Sequence, residues 1–585
     1  MKQLSGLDAA FLYMETPTTY GHVNGLALYQ RPSPDFRPYE VVRERFGAMV
    51  GHVEPLRRRV VEVPLQLDHP YWFDDPHFDL DYHVREIGLA RPGTQEQLGE
   101  QVARIIGRPM DRAHPLWEVY VIDGLEDGRW GLLTKFHHAT VDGAAGVIML
   151  KLFTDATADA VFPFEPIEWQ GEPVPSDTEL LQCTLRNLAA NPVKATRLSL
   201  RLVRNFAEAA GISSLSGAAS RARDVIASAA GRSEESTALS EQIRKVSMPL
   251  TPAPPTPWNR AVGPHRRFAM RSVSLDDIKA LKNATGGTVN DVVMAICAGA
   301  LREYLIRHDA LPDAPLRSMV PVSVRTGLEA DPWTNLVSSI VAELPTDCDD
   351  PLERVQRCRD AMQAAKQQLD LVPADAIMRA TDVTSPVIAT AAVRLMARLS
   401  DRFNLPINVV ISNVPGPREP LYLAGAKLDA YIPVSTISNG IGLNITVHSY
   451  EDRLDFGLVA DRDLVPDLWD LVDLHLAEID VLFAAAGAER PTAAEASSSA
   501  TATLPARKSA PKKSAAKKSS TKKSASRKSA AKKSPSKKSP AKKSASKKSA
   551  ARKSASRKSA AKQAASRKSK GKSSAGKAPA QSASG

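Results

Sequence analysis

The sequence predicts a mixed α/β protein with two lobes of similar size, followed by a disordered basic tail. Three observations carry this. Strand-like and helix-like segments interleave in both halves of residues 1–487, the pattern of packed sheet and helix layers. A Pro-rich hinge, TPAPPTP at 251–257, stands between the halves. Beyond residue 488 the composition turns almost wholly to Lys, Ser and Ala.

In the first half, YGHVNGLALYQ (20–30) reads as a strand, and 39–53 and 95–107 carry helical apolar spacing. WEVYVID (117–123) alternates as a strand, turns at Glu126-Asp127-Gly128, and returns as a second strand over 129–136, a hairpin by its signals. HHATVDG follows directly, then the small-residue helix AAGVIMLKLF. Residues 162–190 are rich in Pro and Glu and read as linker. Residues 193–210 form an amphipathic helix by spacing: Lys194, Arg197, Arg201 and Arg204 share a stripe beside Leu198, Leu202, Phe206 and Ala209. The second body starts near 266. Helices are expected at 275–285, 289–306, 351–371, 375–399 and 464–485. Strands are expected at 317–324, 336–344, 407–413, 427–434, 441–449 and 453–460. The domains so drawn are 1–161, a linker at 162–265, a second lobe at 266–487 and a tail at 488–585.

Hydrophobic residues at 43% and charged residues at 24% are near the globular average, which excludes wholesale disorder. The net charge of +12 conceals an asymmetry. Residues 491–585 hold 28 Lys and Arg against Glu495 alone, a charge of +27, which leaves −15 on residues 1–490. From 512 to 561, Lys/Arg-Lys-Ser followed by two small residues recurs ten times. A period of five matches neither 3.6 nor 2, so no face can be buried, and little apolar surface offsets the ordering entropy. Cys183, Cys297, Cys348 and Cys358 stand in no ligand spacing, which argues against a disulfide framework or a zinc site and fits a reducing compartment. Asp8 and Glu15 interrupt any apolar run at the N-terminus, and no stretch reaches 18 apolar residues. Neither a signal peptide nor a spanning helix is expected.

The chemistry concentrates in His137-His138-Ala139-Thr140-Val141-Asp142-Gly143. Two histidines leave a strand end, where a base is held more firmly than in a loop. Neutral imidazole is available as a proton acceptor near neutral pH. Asp142 stands where the next helix begins and can cap it or pair with an arginine. Gly143 permits close backbone approach. Residue by residue, a pair of structural histidines beside a capping Asp is the plainer reading; the whole pattern, placed after a hairpin strand, points to catalysis.

HHxxxDG resembles the signature of acyltransferases with the chloramphenicol-acetyltransferase-like fold. These include wax ester synthase/diacylglycerol acyltransferases, condensation domains of nonribosomal peptide synthesis and plant BAHD enzymes. LSGLDAAFLYMETPTT, Pro115-Leu116-Trp117-Glu118, Asn290-Asp291, Pro321-Val322-Ser323-Val324-Arg325 and Ser412-Asn413-Val414-Pro415-Gly416-Pro417 look like blocks of the first family, in its actinobacterial form. The BAHD motif DFGWG is absent. Thr334-Asn335 stands where a Gly-Asn pair is expected. The resemblance covers about residues 4–485 and implies two lobes related by a pseudo-twofold, with a tunnel between them. It makes His138 the general base, His137 a supporting residue that orients the loop, and Asp142 a structural residue of that loop. The tetrahedral oxyanion then needs donors from the second lobe, for which Asn290, Ser412 and Asn413 are candidates. Against this, Asn290-Asp291 can simply cap a helix, and Ser412-Asn413 can simply turn a strand.

The implied reaction moves a long-chain acyl group from acyl-CoA to diacylglycerol, and also to long-chain alcohols, with no cofactor and no metal. Its lipid acceptors imply a cytoplasmic protein peripheral to the inner membrane or to lipid droplets. The 193–210 stripe fits either that surface or an ordinary inter-lobe helix. The tail resembles those of linker histones. Its chemistry suits anionic lipid or DNA bound without sequence preference. A carrier-protein thioester as donor, and a lipid-droplet or nucleic-acid tethering protein on this scaffold, are the alternatives.

Overall fold

A computed structural model describes residues 1–190, 251–323, 333, 337–370 and 405–491. The amphipathic helix expected at 193–210, the helix at 375–399, the Thr334-Asn335 departure and the basic tail lie outside these. Residues Met1–Leu504 make one compact unit.

The chain enters through the short strand β1 (Lys2–Gln3) and the helix Gly6–Tyr13, capped by Ser5, whose hydroxyl accepts the Asp8 N–H. The strands that follow are β2 (His22–Tyr29), β3 (Arg58–Val61), β4 (Tyr71–Asp74), β5 (Val84–Gly88), β6 (Trp117–Asp123) and β7 (Trp130–His137). The second half supplies β8 (Arg266–Ser274), β9 (Leu316–Ser323), β10 (Val337–Leu344), β11 (Val409–Pro415), β12 (Tyr422–Leu423), β13 (Ala426–Val434), β14 (Leu443–Tyr450) and β15 (Arg453–Asp461). They build two six-stranded sheets, ordered β12-β13-β2-β7-β6-β5 and β10-β9-β11-β14-β15-β8, and a small sheet β1-β4-β3. The expected hairpin is the antiparallel pair β6–β7, and the last expected hairpin is β14–β15. This is the two-lobed α/β arrangement expected from the sequence.

The second lobe is organised by the helix Val289–Arg307, buried on almost every side from Asp291 to Leu301. The helices Leu275–Thr285, Pro351–Asp370 and Leu468–Ala486 contribute to the same core, with inward residues of its sheet such as Ile411, Ile445 and Val447. In the first lobe, the helix Gln95–Ile106 begins with a reciprocal Thr94/Gln97 capping box. Its Leu98, Val102, Ile105 and Ile106 pack with Phe268 and Met270 of β8 and with Ile432 and Val434 of β13. That cluster is the apolar seam between lobes.

Two boundaries differ from the sequence reading. Asp177–Ala190, placed in the linker, is a helix; Ser176 and Glu179 exchange hydrogen bonds at its start, and Leu180 and Thr184 are buried. The flanking prolines obscured that Ser-x-x-Glu signal. The second lobe is also not the contiguous block 266–487. β12 and β13 leave it and complete the first sheet, where β13 pairs antiparallel with β2 from Leu428↔Tyr29 to Val434↔Asn24. Alternation marks β13 as a half-buried strand but does not say which sheet receives it. The Asp455 carboxylate of β15 accepts the Tyr431 N–H and so ties β13 back to the second sheet.

Candidate active site

HHATVDG sits at the end of β7 because the pairing runs out there. His137 is opposite His22 on β2, and its N–H donates to the carbonyl of Leu116, within the Pro-Leu-Trp block. The His138 N–H donates to the Gly21 carbonyl at 2.7 Å. Its half-buried ring stacks on Phe11, centroids 4.2 Å apart and planes within 5°. Ala139 is buried with Leu4, Ala9, Leu12, Trp72 and Leu116, so the N-terminal helix forms the bed of the motif.

The two histidines are in different states. His137 is 1% exposed and both its ring nitrogens are committed. Nδ1 accepts the Ala139 N–H at 3.0 Å, which puts the proton on Nε2, 3.1 Å from Glu15 Oε1; the tautomer is assigned from this pattern. Glu15 also accepts the Gly21 N–H at 2.9 Å and Arg112 Nη2 at 2.8 Å. Burial alone would raise the Glu15 carboxyl, but the His137 contact, the Gly21 N–H and Arg112 outweigh it and hold the group far below the usual carboxylate range. Gly21 is required here, since a Cβ would lie 2.7 Å from His137 Nε2. His137 is thus a post that positions the strand end, and His138 follows it, held by its N–H to Gly21 and stacked on Phe11.

Asp142 is 1% exposed and caps the helix Gly143–Phe153, accepting the Ala145 N–H at 2.8 Å. Gly143 is that helix's first residue. The loop is therefore tied at Gly21, at Leu116 and at the helix start, where Asp142 is the cap and Gly143 is helical rather than in the left-handed region.

In the second lobe, the helix Val289–Arg307 is capped by Thr288 and Asp291, which bond reciprocally. Asn290 is not the cap. Its Oδ1 receives Asn413 Nδ2 at 3.4 Å, a weak contact that brings two of the candidates together. Ser412 precedes Asn413 on β11. Val409 and Ile411 turn into the second lobe's core, so Ser412 lies on the opposite face of the sheet, across from Thr446 in register. Its hydroxyl makes no hydrogen bond among the described residues.

A hydrogen-bonded path joins this face to the histidine loop. Thr446 Oγ1 donates to Asn444 Oδ1 at 2.8 Å and lies 2.7 Å from Ser435 Oγ. Asn444 Nδ2 donates to the Thr436 carbonyl at 3.0 Å, and Thr436 Oγ1 donates to the Tyr20 carbonyl at 2.7 Å. Tyr20 adjoins Gly21, whose carbonyl holds His138. The sequence reading missed Glu15, Phe11, Gly21, Arg112, Asn444 and Thr446. The first three had a signal, since they lie in or beside the N-terminal block LSGLDAAFLYMETPTT. The rest had none.

Comparison with known proteins identifies the family of the chain. The family described as wax ester synthase/diacylglycerol acyltransferase catalytic domain matches residues 4–293, and the family's C-terminal domain matches residues 333–482. The chain is 36% identical over 476 residues to a Mycobacterium bovis protein provisionally named a diacylglycerol O-acyltransferase, covering 80% of this chain and 95% of that one. It is 32% identical over 479 residues to a similarly named Mycobacterium tuberculosis protein, covering 81% and 88%. Among solved structures, the wax ester synthase/diacylglycerol acyltransferase of Marinobacter aquaeolei superposes with a TM-score of 0.58 at 29% identity, over 83% of this chain and all of that one. Matches along both lobes, with 36% identity to a relative over 80% of this chain, show that the chain belongs to the wax ester synthase/diacylglycerol acyltransferase family.

Proposed function

We propose that the protein transfers a long-chain acyl group from acyl-CoA to the hydroxyl of diacylglycerol, with long-chain alcohols as a second acceptor class and His138 as general base. What supports the base assignment is the place of His138 in HHATVDG at the end of β7, where its N–H is held by the Gly21 carbonyl and its ring lies flat on Phe11, while His137 is spent on the framework of the loop.

Neutral His138 takes the proton of the acceptor hydroxyl as that oxygen attacks the thioester carbonyl. The C–O bond forms and a tetrahedral oxyanion develops. Its collapse breaks the C–S bond, and the proton on His138 passes to the departing CoA thiolate. No acyl-enzyme forms, and no cofactor or metal takes part. A positioned base contributes about 10²–10⁴-fold. Ser412 is the proposed oxyanion donor, with Asn290 and Asn413, which bond to each other, as the other candidates, and such a donor is worth about 3 kcal/mol.

No single helix among the described residues is long and apolar enough to cross a membrane. Leu275–Thr285 and Val289–Arg307 pass that test only together, across a 97° bend, and the second of them is core. The proposed lipid acceptor implies a protein that meets it from the side, at the cytoplasmic face of the membrane or at a droplet. The +27 tail contributes attraction to anionic lipid or DNA, at about 1 kcal/mol per basic residue near an anionic surface.

The test offers long-chain acyl-CoA with diacylglycerol and with a long-chain alcohol in parallel, to wild type and to His138→Ala. Triacylglycerol from wild type and at least a hundredfold less from the variant is the expected result. Equal rates from both would remove His138 from the mechanism. Bound acyl-CoA with no product from either acceptor would favour a carrier-protein donor.

A further inference from the structure

His448 is a buried polar side chain that the site has not used. It is 2% exposed, and neither Nδ1 nor Nε2 has a hydrogen-bond partner among the described residues. Burial lowers its pKa to about 4, so the ring is neutral near pH 7 and presents one donor and one acceptor. A buried imidazole with both nitrogens unpaired costs free energy that a phenylalanine of similar shape would not.

Its position suggests the use. Along β14, Leu443, Ile445 and Val447 pack into the second lobe's core, which leaves Asn444, Thr446 and His448 on the other face. Ser412 shares that face. In the parallel register of β11 and β14, Ser412 is opposite Thr446 and Val414 is opposite His448. The imidazole is therefore one step along the sheet from the proposed oxyanion donor. One ring edge lies under Gly416, where a Cβ would come within 2.6 Å of Nε2. The ring is 4.9 Å from that of Tyr431 on the crossing strand. Tyr431 is opposite Ala27 of β2, which is opposite Leu132 of β7. By alternation it shares a sheet face with Phe136 and with the strand end that carries His138. His448 thus lies where the working faces of both sheets meet.

We propose that His448 donates a hydrogen bond to an ester carbonyl of the bound acylglycerol and so favours glyceride acceptors over simple long-chain alcohols. This rests on the acceptor class assigned above. A diacylglycerol carries two ester carbonyls close to its free hydroxyl; a fatty alcohol carries none. One buried donor beside the reacting centre separates them, because a site built to bond an acceptor discriminates against an analogue lacking it.

The experiment compares dioleoylglycerol with its dialkyl ether analogue, which keeps the hydroxyl and chains but has no carbonyl, using one acyl-CoA. Wild type, His448→Phe and His448→Gln are measured. Wild type is expected to prefer ester over ether by roughly 5- to 100-fold in kcat/KM. His448→Phe should bring that ratio towards one, and His448→Gln, which keeps a donor, should restore part of it. A wild-type ratio near one overturns the inference without any variant. So does a His448→Phe enzyme that retains the full preference, or one that loses rate equally on both acceptors. Wild type that makes no triacylglycerol at all fails the acceptor assignment itself; wild type that makes it while the ratios behave otherwise fails the role of His448 alone.

Discussion

Replacing Glu15 by Gln tests the framework that positions the base. The Glu15 carboxylate is largely buried and accepts three hydrogen bonds, from His137 Nε2, the Gly21 N–H and Arg112 Nη2. A hydrogen bond to a charged group is worth about 1.5–3 kcal/mol and a neutral one about 0.5–1.5. Gln keeps one acceptor oxygen for His137 Nε2 and the Gly21 N–H, each weakened by about 1 kcal/mol, and sets its NH2 against Arg112 in place of the second oxygen, so a stability loss of about 2–3 kcal/mol or more follows for the set. The pH dependence has a definite sign. The folded-state pKa of Glu15 is depressed, so its stabilisation is fully present above the unfolded value near 4.5 and is lost as pH falls through the folded value. Wild type should lose stability more steeply than Glu15→Gln as pH falls below about 4.5, and the two curves should converge in acid. Since Gly21 also holds His138, displacement of this loop by a fraction of an ångström should cost about tenfold or more in kcat, with a smaller change in KM. Urea unfolding from pH 3 to 7 and steady-state acyl transfer measure both. A variant within 0.5 kcal/mol of wild type at pH 7, with unchanged kcat, would refute the idea that Glu15 sets the loop (about the scatter of an ordinary surface substitution).

Other perturbations act on separate parts. Gly21→Ala places a Cβ 2.7 Å from His137 Nε2; a cost of about 1–3 kcal/mol and a fall in kcat are expected, read by thermal unfolding and turnover. Ser412→Ala should lower kcat about a hundredfold with little change in acyl-CoA binding if it donates to the oxyanion; a loss confined to KM would assign it to substrate binding instead. Deleting 491–585 should leave turnover of dispersed substrate intact and weaken retention on anionic vesicles and on DNA at low salt, and undiminished binding of the tail-free protein to both would remove the tail from either role.

Much of the framework was legible because local signals agreed with tertiary placement. Leu275–Thr285, capped by Ser274 and closed by the left-handed Gly286, has the bounds its spacing predicts. The β6–β7 hairpin follows from its alternation and from a turn at Gly128 with φ 78°. What was hidden depends on contacts between distant residues. Glu15 looks like an ordinary helix-flanking acid until the fold brings it to His137, 122 positions away. The short strands β3, β4 and β5 and the helix Asp177–Ala190 are set by burial against neighbours rather than by periodicity. Asn290 and Asn413 were readable as residue types, but their meeting across 123 positions was not.

The crossing strand explains how a two-lobed protein can hold a catalytic distance. The proposed base stands at the end of the first sheet and the oxyanion candidates in the second lobe, so their separation depends on the seam. β13 is covalently part of the second half yet hydrogen-bonded along β2. Asn24 Nδ2 donates to the Val434 carbonyl, Thr436 Oγ1 to the Tyr20 carbonyl and the Tyr431 N–H to Asp455. Parting the lobes here would break this ladder and expose the cluster around Phe268, Ile432 and Val434, at about 25 cal/mol for each Å² of apolar surface returned to water. The lobes therefore behave as one body at the seam. A donor fixed in place before the acyl group arrives needs no reorganisation when charge develops on the thioester oxygen, and that is the condition under which one hydroxyl in a dry site stabilises an oxyanion by several kcal/mol rather than by the small net value of a hydrogen bond in water.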